Sequence, residues 1–193
     1  MTSQLFLPPV LQTKRLILKL ADEQNISQII HYFKENENHF APTDPPKSRE
    51  FYTEHFWKER IKKAIEECQT EQAIRLFLFS IENNDEIIGT LNFTQFSRGP
   101  FQACNVGYGI SHRHEGRGLM TEALGEAIHY VFAKMNIHRI MANHLEDNSR
   151  SAKLLKRLGF TIEGKALKYL YINGCWRDHI LTSLINPEWK EIF

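Results

Sequence analysis

Three cysteines in 193 residues, Cys68, Cys104 and Cys175, are too few, too widely spaced and too odd in number for a disulfide framework. Reduced thiols in a cytoplasmic protein are the simplest account of them. No two of them stand at zinc-site spacing. Long apolar runs are missing as well: no stretch is long enough to cross a bilayer, so no membrane partner is expected. The opening residues lack a basic segment followed by an apolar run, which gives no sign of a signal peptide. An excess of one charge is also absent. Lys and Arg number 24 against 23 Asp and Glu, a net charge of +1. That balance argues against a general nucleic-acid binder. Phe77, Phe79, Phe93 and Phe96 have no basic stripe beside them, so they fit a core better than a base-stacking platform. There is no repeat, low-complexity tract or linker, and residues 1–193 are expected to form one domain.

What the chain does have is concentrated between Ile110 and Met120. A strand-like run ends there and a strongly amphipathic helix begins. Between them lies Arg113-x-x-Gly116-x-Gly118. Two residues without a Cβ let the backbone turn sharply and approach a ligand closely. The first turn of the following helix carries N–H groups with no partner inside the helix, at the positive end of the helix dipole. That combination suits a phosphate. A Walker A loop would need Gly-Lys-Ser/Thr, which is absent, and a dinucleotide fingerprint would need a third glycine where Thr121 stands.

Hydrophobic periodicity gives the rest of the order. Arg15–Leu20 reads as a first strand. Asp22 is a possible N-cap before a helix carrying Ile26, Ile29, Ile30 and Phe33. Ala41–Pro46 breaks the chain, and a more charged helix runs from about Arg49 to Gln69. Arg75–Ile81 reads as a buried strand, Asn83-Asn84-Asp85 as a turn, and Ile87–Phe93 as the returning strand. Gln102–Ile110 is a further strand. Leu119, Met120, Ala123, Leu124, Ala127, Ile128, Val131, Phe132 and Met135 mark one face of a long helix. Arg139–Leu145 is a strand and Asn148–Leu158 a helix ended by Gly159. Phe160–Ile172 and Trp176–Ile185 are two last strands about Asn173-Gly174. Strands and helices interleaved in this way make an α/β protein.

The loop resembles the acyl-CoA pyrophosphate loop of the GCN5-related N-acetyltransferases, whose pattern is Gln/Arg-x-x-Gly-x-Gly/Ala. The resemblance covers roughly residues 11 to 189. Within that superfamily the chain is similar to the RimJ/RimL branch, through Thr13-Lys-Arg-Leu16, Ile87-Ile-Gly-Thr90, Asn148-Ser-Arg-Ser151 and Leu158-Gly-Phe160. Arg98-Gly99, His138-Arg-Ile-Met-Ala-Asn143 and Trp176-Arg-Asp-His179 resemble the RimJ type most. The resemblance implies a mixed, largely antiparallel sheet flanked by helices. It implies acetyl-CoA as co-substrate. It also implies acetylation of the N-terminal alanine of a ribosomal protein, of the small-subunit S-five kind, in the cytoplasm.

It further implies a binding mode. The pyrophosphate is expected on backbone N–H groups of the segment Arg113, His114, Gly116, Arg117, Gly118, Leu119 and Met120, with Arg113 and Arg117 adding charge. The pantetheine arm is expected beside Tyr108, Gly109 and Ile110, bonded like an added strand. Asn148 and Ser151 are expected at the thioester end. Many relatives place a tyrosine at the position of Leu155 to protonate the departing thiolate. The RimL-like pattern uses a serine instead, and Ser151 matches it. The alternative is that Ser151 merely caps or packs its helix.

The base is open. Lys168 stands where the RimL-like pattern has a carboxylate, and Glu163, Glu122 and His144 are bare candidates with structural readings of their own. An α-amine needs less help than a lysine. About one α-amine in ten is neutral at neutral pH, against fewer than about one lysine in a thousand. His114-Glu115 hints at a zinc motif, but Gly118 stands where its second histidine belongs, and no metal is expected. Two other readings stay open, a small-molecule amine as acceptor and a non-catalytic CoA-binding or assembly factor. Tyr171 and Trp176 are read either as lining an acceptor cleft or as core.

Overall fold

The computed structural model describes residues 7–83 and 86–191. Two residues of the expected turn, Asn84 and Asp85, lie outside the described residues. The elements run β1 (Val10–Gln12), β2 (Leu16–Lys19), α1 (Ile26–Glu35), α2 (Glu37–Phe40), α3 (Glu54–Gln69), β3 (Ile74–Ser80), β4 (Ile87–Ser97) and β5 (Ala103–Ile110). They continue with α4 (Leu119–Met135), β6 (Arg139–Leu145), α5 (Ser149–Arg157), β7 (Thr161–Ile172) and β8 (Cys175–Ile185). One sheet of eight strands results, in the order β1-β2-β3-β4-β5-β6-β8-β7. Every neighbouring pair is antiparallel except β5 and β6. The fold is the mixed, largely antiparallel α/β sheet with flanking helices that the sequence suggests.

β3 shows why the sheet has helices on both faces. Leu76 and Leu78 point to one core with α4 and α5, while Phe77 and Phe79 point to a second core with α1 and α3. A strand buried on both sides reads as a continuous apolar run, as Leu76–Phe79 does. The expected face of α4 is the buried one, from Leu119 to Met135, with Phe132 partly buried. Asp22 caps a short 3-10 turn that leads into α1, accepting from the Gln24 N–H at 2.9 Å, so the cap acts one turn earlier than expected.

Two elements were not foreseen. β1 is a three-residue edge strand with only Leu11 buried. α2 is a single turn directly after α1, with Asn36 between them. Neither is long enough to show a period. The charged helix starts later than the pattern suggests, at Glu54, with Thr53 as its N-cap and a 3-10 turn at Glu50–Tyr52 before it.

Candidate active site

The sheet splits between β5 and β6. Their parallel ladder holds only Ala103–Asn105 against Arg139–Met141. Beyond it β5 continues to Ile110 on β4, and β6 continues to Leu145 on β8. The facing edges diverge into a cleft of about 1080 Å³. The connection that permits this is α4, which crosses from the end of β5 to the start of β6 and packs Ala123, Leu124, Ala127 and Val131 into the core. Past Asn105, the β6-facing edge of β5 pairs with no strand among the described residues, which leaves it available to another amide chain.

The floor of the cleft is the glycine loop. Gly116 and Gly118 have φ of +73° and +74°, and Gly118 is the N-cap of α4. A Cβ at Gly116 would meet nothing within 4 Å, and at Gly118 only Arg15 Nη2 at 3.8 Å. The protein itself therefore does not fill the space above either glycine. The first amide bonded inside the helix is that of Glu122, to the Gly118 carbonyl at 3.1 Å. The amides of Leu119, Met120 and Thr121 precede it and are among the helix's unpaired donors.

The loop is fastened from outside. Arg15 Nη1 donates to the Arg117 carbonyl at 3.0 Å, and Arg15 Nε to Glu122 at 2.7 Å. Thr13 donates to the same carboxylate at 2.6 Å. Burial works against ionisation of Glu122, yet these bonds hold its carboxyl below the usual range.

Tyr108, Gly109, Ile110, His114, Gly116, Gly118, Leu119, Met120, Asn148 and Ser151 all line the cleft. Two of the expected phosphate residues do not. The Arg113 guanidinium turns to Glu35 on α1, at 2.5 Å. The Arg117 side chain is exposed, and it is the Arg117 carbonyl that is engaged, by Arg15. Arg113 lies in a 3-10 turn, His112–His114, of which only His114 lines the cleft. Cationic charge reaches the cleft from α5 instead, through Arg150, Lys153 and Arg157, spaced along one helical face.

At the first turn of α5, the Asn148 side chain accepts the Ser151 N–H at 3.1 Å. Asn148 therefore caps the helix as well as lining the cleft. The Ser151 hydroxyl lies 2.6 Å from the Tyr108 hydroxyl across the split. Burial pushes the Tyr108 phenol up to about 12, although the bond to Ser151 pulls the other way. Tyr108 is therefore protonated at neutral pH. Nothing in the sequence joins a strand residue to a helix residue so far downstream, and this contact went unforeseen.

The remaining wall also escaped the sequence reading. The Ala41–Pro46 break supplies Pro42, Thr43 and Asp44, and α2 supplies Asn38, His39 and Phe40. Asn173, at the β7–β8 turn, donates to the Ala41 carbonyl and joins the two sides. Each carboxylate in the cleft has a cationic or histidine neighbour. Asp44 has Lys47 at 3.0 Å, Asp147 has Arg177 at 3.0 Å, and Glu115 has His39 at 3.3 Å and Arg150 at 2.5 Å.

None of the bare base candidates lines the cleft. Glu122 is the fastening just described. Glu163 is held by Arg139 and Ser183, which lower its carboxyl below the usual range. His144 is buried with Nδ1 at 2.8 Å from the Leu145 carbonyl. Lys168 sits exposed on a β7 bulge, at φ +50°. Tyr171 and Trp176 are neither core nor wall of this cleft: they are exposed and stack edge-to-face at 5.6 Å.

The family model for the acetyltransferase (GNAT) domain matches residues 15–161. The chain belongs to the GNAT acetyltransferases. It is 40% identical over 179 residues to the ribosomal protein uS5-alanine N-acetyltransferase of Escherichia coli strain K12, covering 93% of this chain and 92% of that one. The ribosomal-protein-S5-alanine acetyltransferase of Vibrio fischeri superposes with a TM-score of 0.90 at 38% identity, over 95% of this chain and all of that one, 100%. RimJ of Mycobacterium smegmatis, solved with a CoA disulfide, shares the fold with a TM-score of 0.84 at 21% identity, over 94% of this chain and 89% of that one. The GNAT domain is an N-acetyltransferase fold, so the cleft is the place to look for acetyl transfer.

Proposed function

We propose that this chain transfers an acetyl group from acetyl-CoA to the N-terminal alanine of a ribosomal protein of the uS5 kind, in the cytoplasm, as a single domain. The observation that carries the acceptor is the 40% identity to the Escherichia coli uS5-alanine enzyme across nearly the whole chain. Acetyl-CoA, when bound, supplies an activated thioester and a thiolate leaving group. The residues fit it. Amides of Leu119, Met120 and Thr121 and the space above Gly116 and Gly118 suit its pyrophosphate, and Arg150, Lys153 and Arg157 add charge from the side. The open β5 edge at Gly107–Ile110 would take the pantetheine amides as an added strand.

Backbone N–H groups of that edge polarise the carbonyl under attack. Ser151 donates its proton where charge gathers on sulfur. The acceptor is an amine that is already neutral in part. An α-amine ionises at about 7.7–8.0, far below the lysine value of about 10.4, which eases the demand for a strong base.

The test is incubation with acetyl-CoA and a panel of peptides and small amines, followed by mass mapping. Acetyl on the α-amine of alanine-first peptides is expected. Acetyl mainly on lysine side chains, or on spermidine-like amines alone, would overturn the acceptor assignment.

A further inference from the structure

We infer that Tyr108 and Ser151 form a two-hydroxyl proton relay that carries the proton shed by the attacking amine to the departing sulfur, so that the reaction needs no carboxylate base. The inference rests on reading the cleft as the site of acetyl transfer. Its basis is the geometry. Tyr108 stands on β5 past the point where β6 leaves it, and Ser151 stands in the first turn of α5. Their oxygens are 2.6 Å apart, and both residues line the cleft. The Asn148 cap fixes the serine backbone at the first turn of α5, and the Tyr108 contact holds its hydroxyl.

A hydroxyl has one proton to give. If Ser151 donates to sulfur, its own oxygen accepts from Tyr108. The amine nitrogen forms a bond to the acetyl carbon, and the C–S bond breaks with its electron pair on sulfur. Sulfur takes the Ser151 proton, Ser151 takes the Tyr108 proton, and Tyr108 recovers the proton that the new amide nitrogen must lose, directly or through one water. Both side chains end as they began.

Two observations favour this over a carboxylate base. Asp44, Glu115 and Asp147, the carboxylates of the cleft wall, all lie in ion pairs or beside histidine. Glu122 and Glu163, the other carboxylates weighed as the base, do not line the cleft. The phenol also has little tendency to remain ionised, because it is desolvated. Its refilling is therefore coupled to its donation.

The experiment uses the full chain, Tyr108→Phe, Ser151→Ala and the double variant, with an alanine-first peptide. Each single change is expected to lower kcat by roughly 10²-fold, and the pair to do no worse than the poorer single. Acetyl-CoA affinity by calorimetry is expected to stay within about twofold. A second readout needs no turnover: with 3-fluorotyrosine at position 108, the 19F resonance of the free protein is expected to move when Ser151→Ala is introduced. Near-normal kcat for Tyr108→Phe beside an impaired Ser151→Ala would overturn the relay and leave Ser151 as acid. Additive losses in the double variant, or an unmoved 19F resonance, would also overturn it. A wild-type chain that acetylates no amine would remove the transfer reaction itself, and the relay with it.

Discussion

At position 118 the backbone is left-handed, at φ +74°, and a Cβ would meet only one distant guanidinium nitrogen. The protein has no packing reason for glycine there beyond the dihedral. Gly118→Val therefore puts a branched side chain into the open space proposed for the pyrophosphate, with a backbone strain of about 1–2 kcal/mol. Calorimetry is expected to show acetyl-CoA binding weakened by about tenfold or more, with circular dichroism nearly unchanged. A phenol pushed up to about 12 stays protonated through the working range. The kcat/KM for an alanine-first peptide is thus expected to rise through the ionisation of the acceptor α-amine, about 7.7–8.0, then stay level to about pH 10. A fall near pH 8–9 would mean that another group supplies the proton. Single residues were unevenly legible. Gly116 and Gly118 announce themselves because only a short list of backbone needs explains two spaced glycines before a helix. The ion pair of Arg113 was not legible, because its partner Glu35 sits on a helix whose docking no local pattern encodes.

Elements with a full period were legible, and short ones were not. Leu119 to Met135 repeats its apolar face for several turns, so α4 was plain. Val10–Gln12 offers one buried side chain, and Glu37–Phe40 offers none. The cleft wall was missed with them, since α2 and the segment after it carry no repeat to read. Between elements, Glu122 ties α4 to the approach of β2 through Thr13 and Arg15. Glu122→Gln is expected to cost about 1 kcal/mol at neutral pH, because the bonds are charge-assisted but Arg15 is partly exposed. The pH dependence has a definite sign. A carboxyl held below its ordinary value of 4.5 contributes fully above that value and loses its contribution as pH falls through the lowered one. The melting temperatures of wild type and variant are therefore expected to converge below pH 4.5.

The whole molecule is one sheet held at its middle by a ladder of three residues per strand. The antiparallel pairings on either side are longer: β4 with β5 and β6 with β8 run nearly the length of their strands. On the proposed binding mode, the co-substrate lies against the bare edge of β5 and completes the hydrogen bonding that β6 abandons. Hydrogen exchange is expected to slow at residues 106–110 when acetyl-CoA is added, and much less at β3. Equal slowing in both would mean general tightening rather than strand addition. The order of strands was not readable from the sequence, because β8 inserts between β6 and β7. That short central ladder has a consequence for the life of the protein in a cell. Ligand bound to the folded chain at about a hundred times its dissociation constant adds about 2.7 kcal/mol of stability. The supply of acetyl-CoA would then govern survival as well as rate: a starved cell would lose the enzyme to its proteases sooner than a fed one.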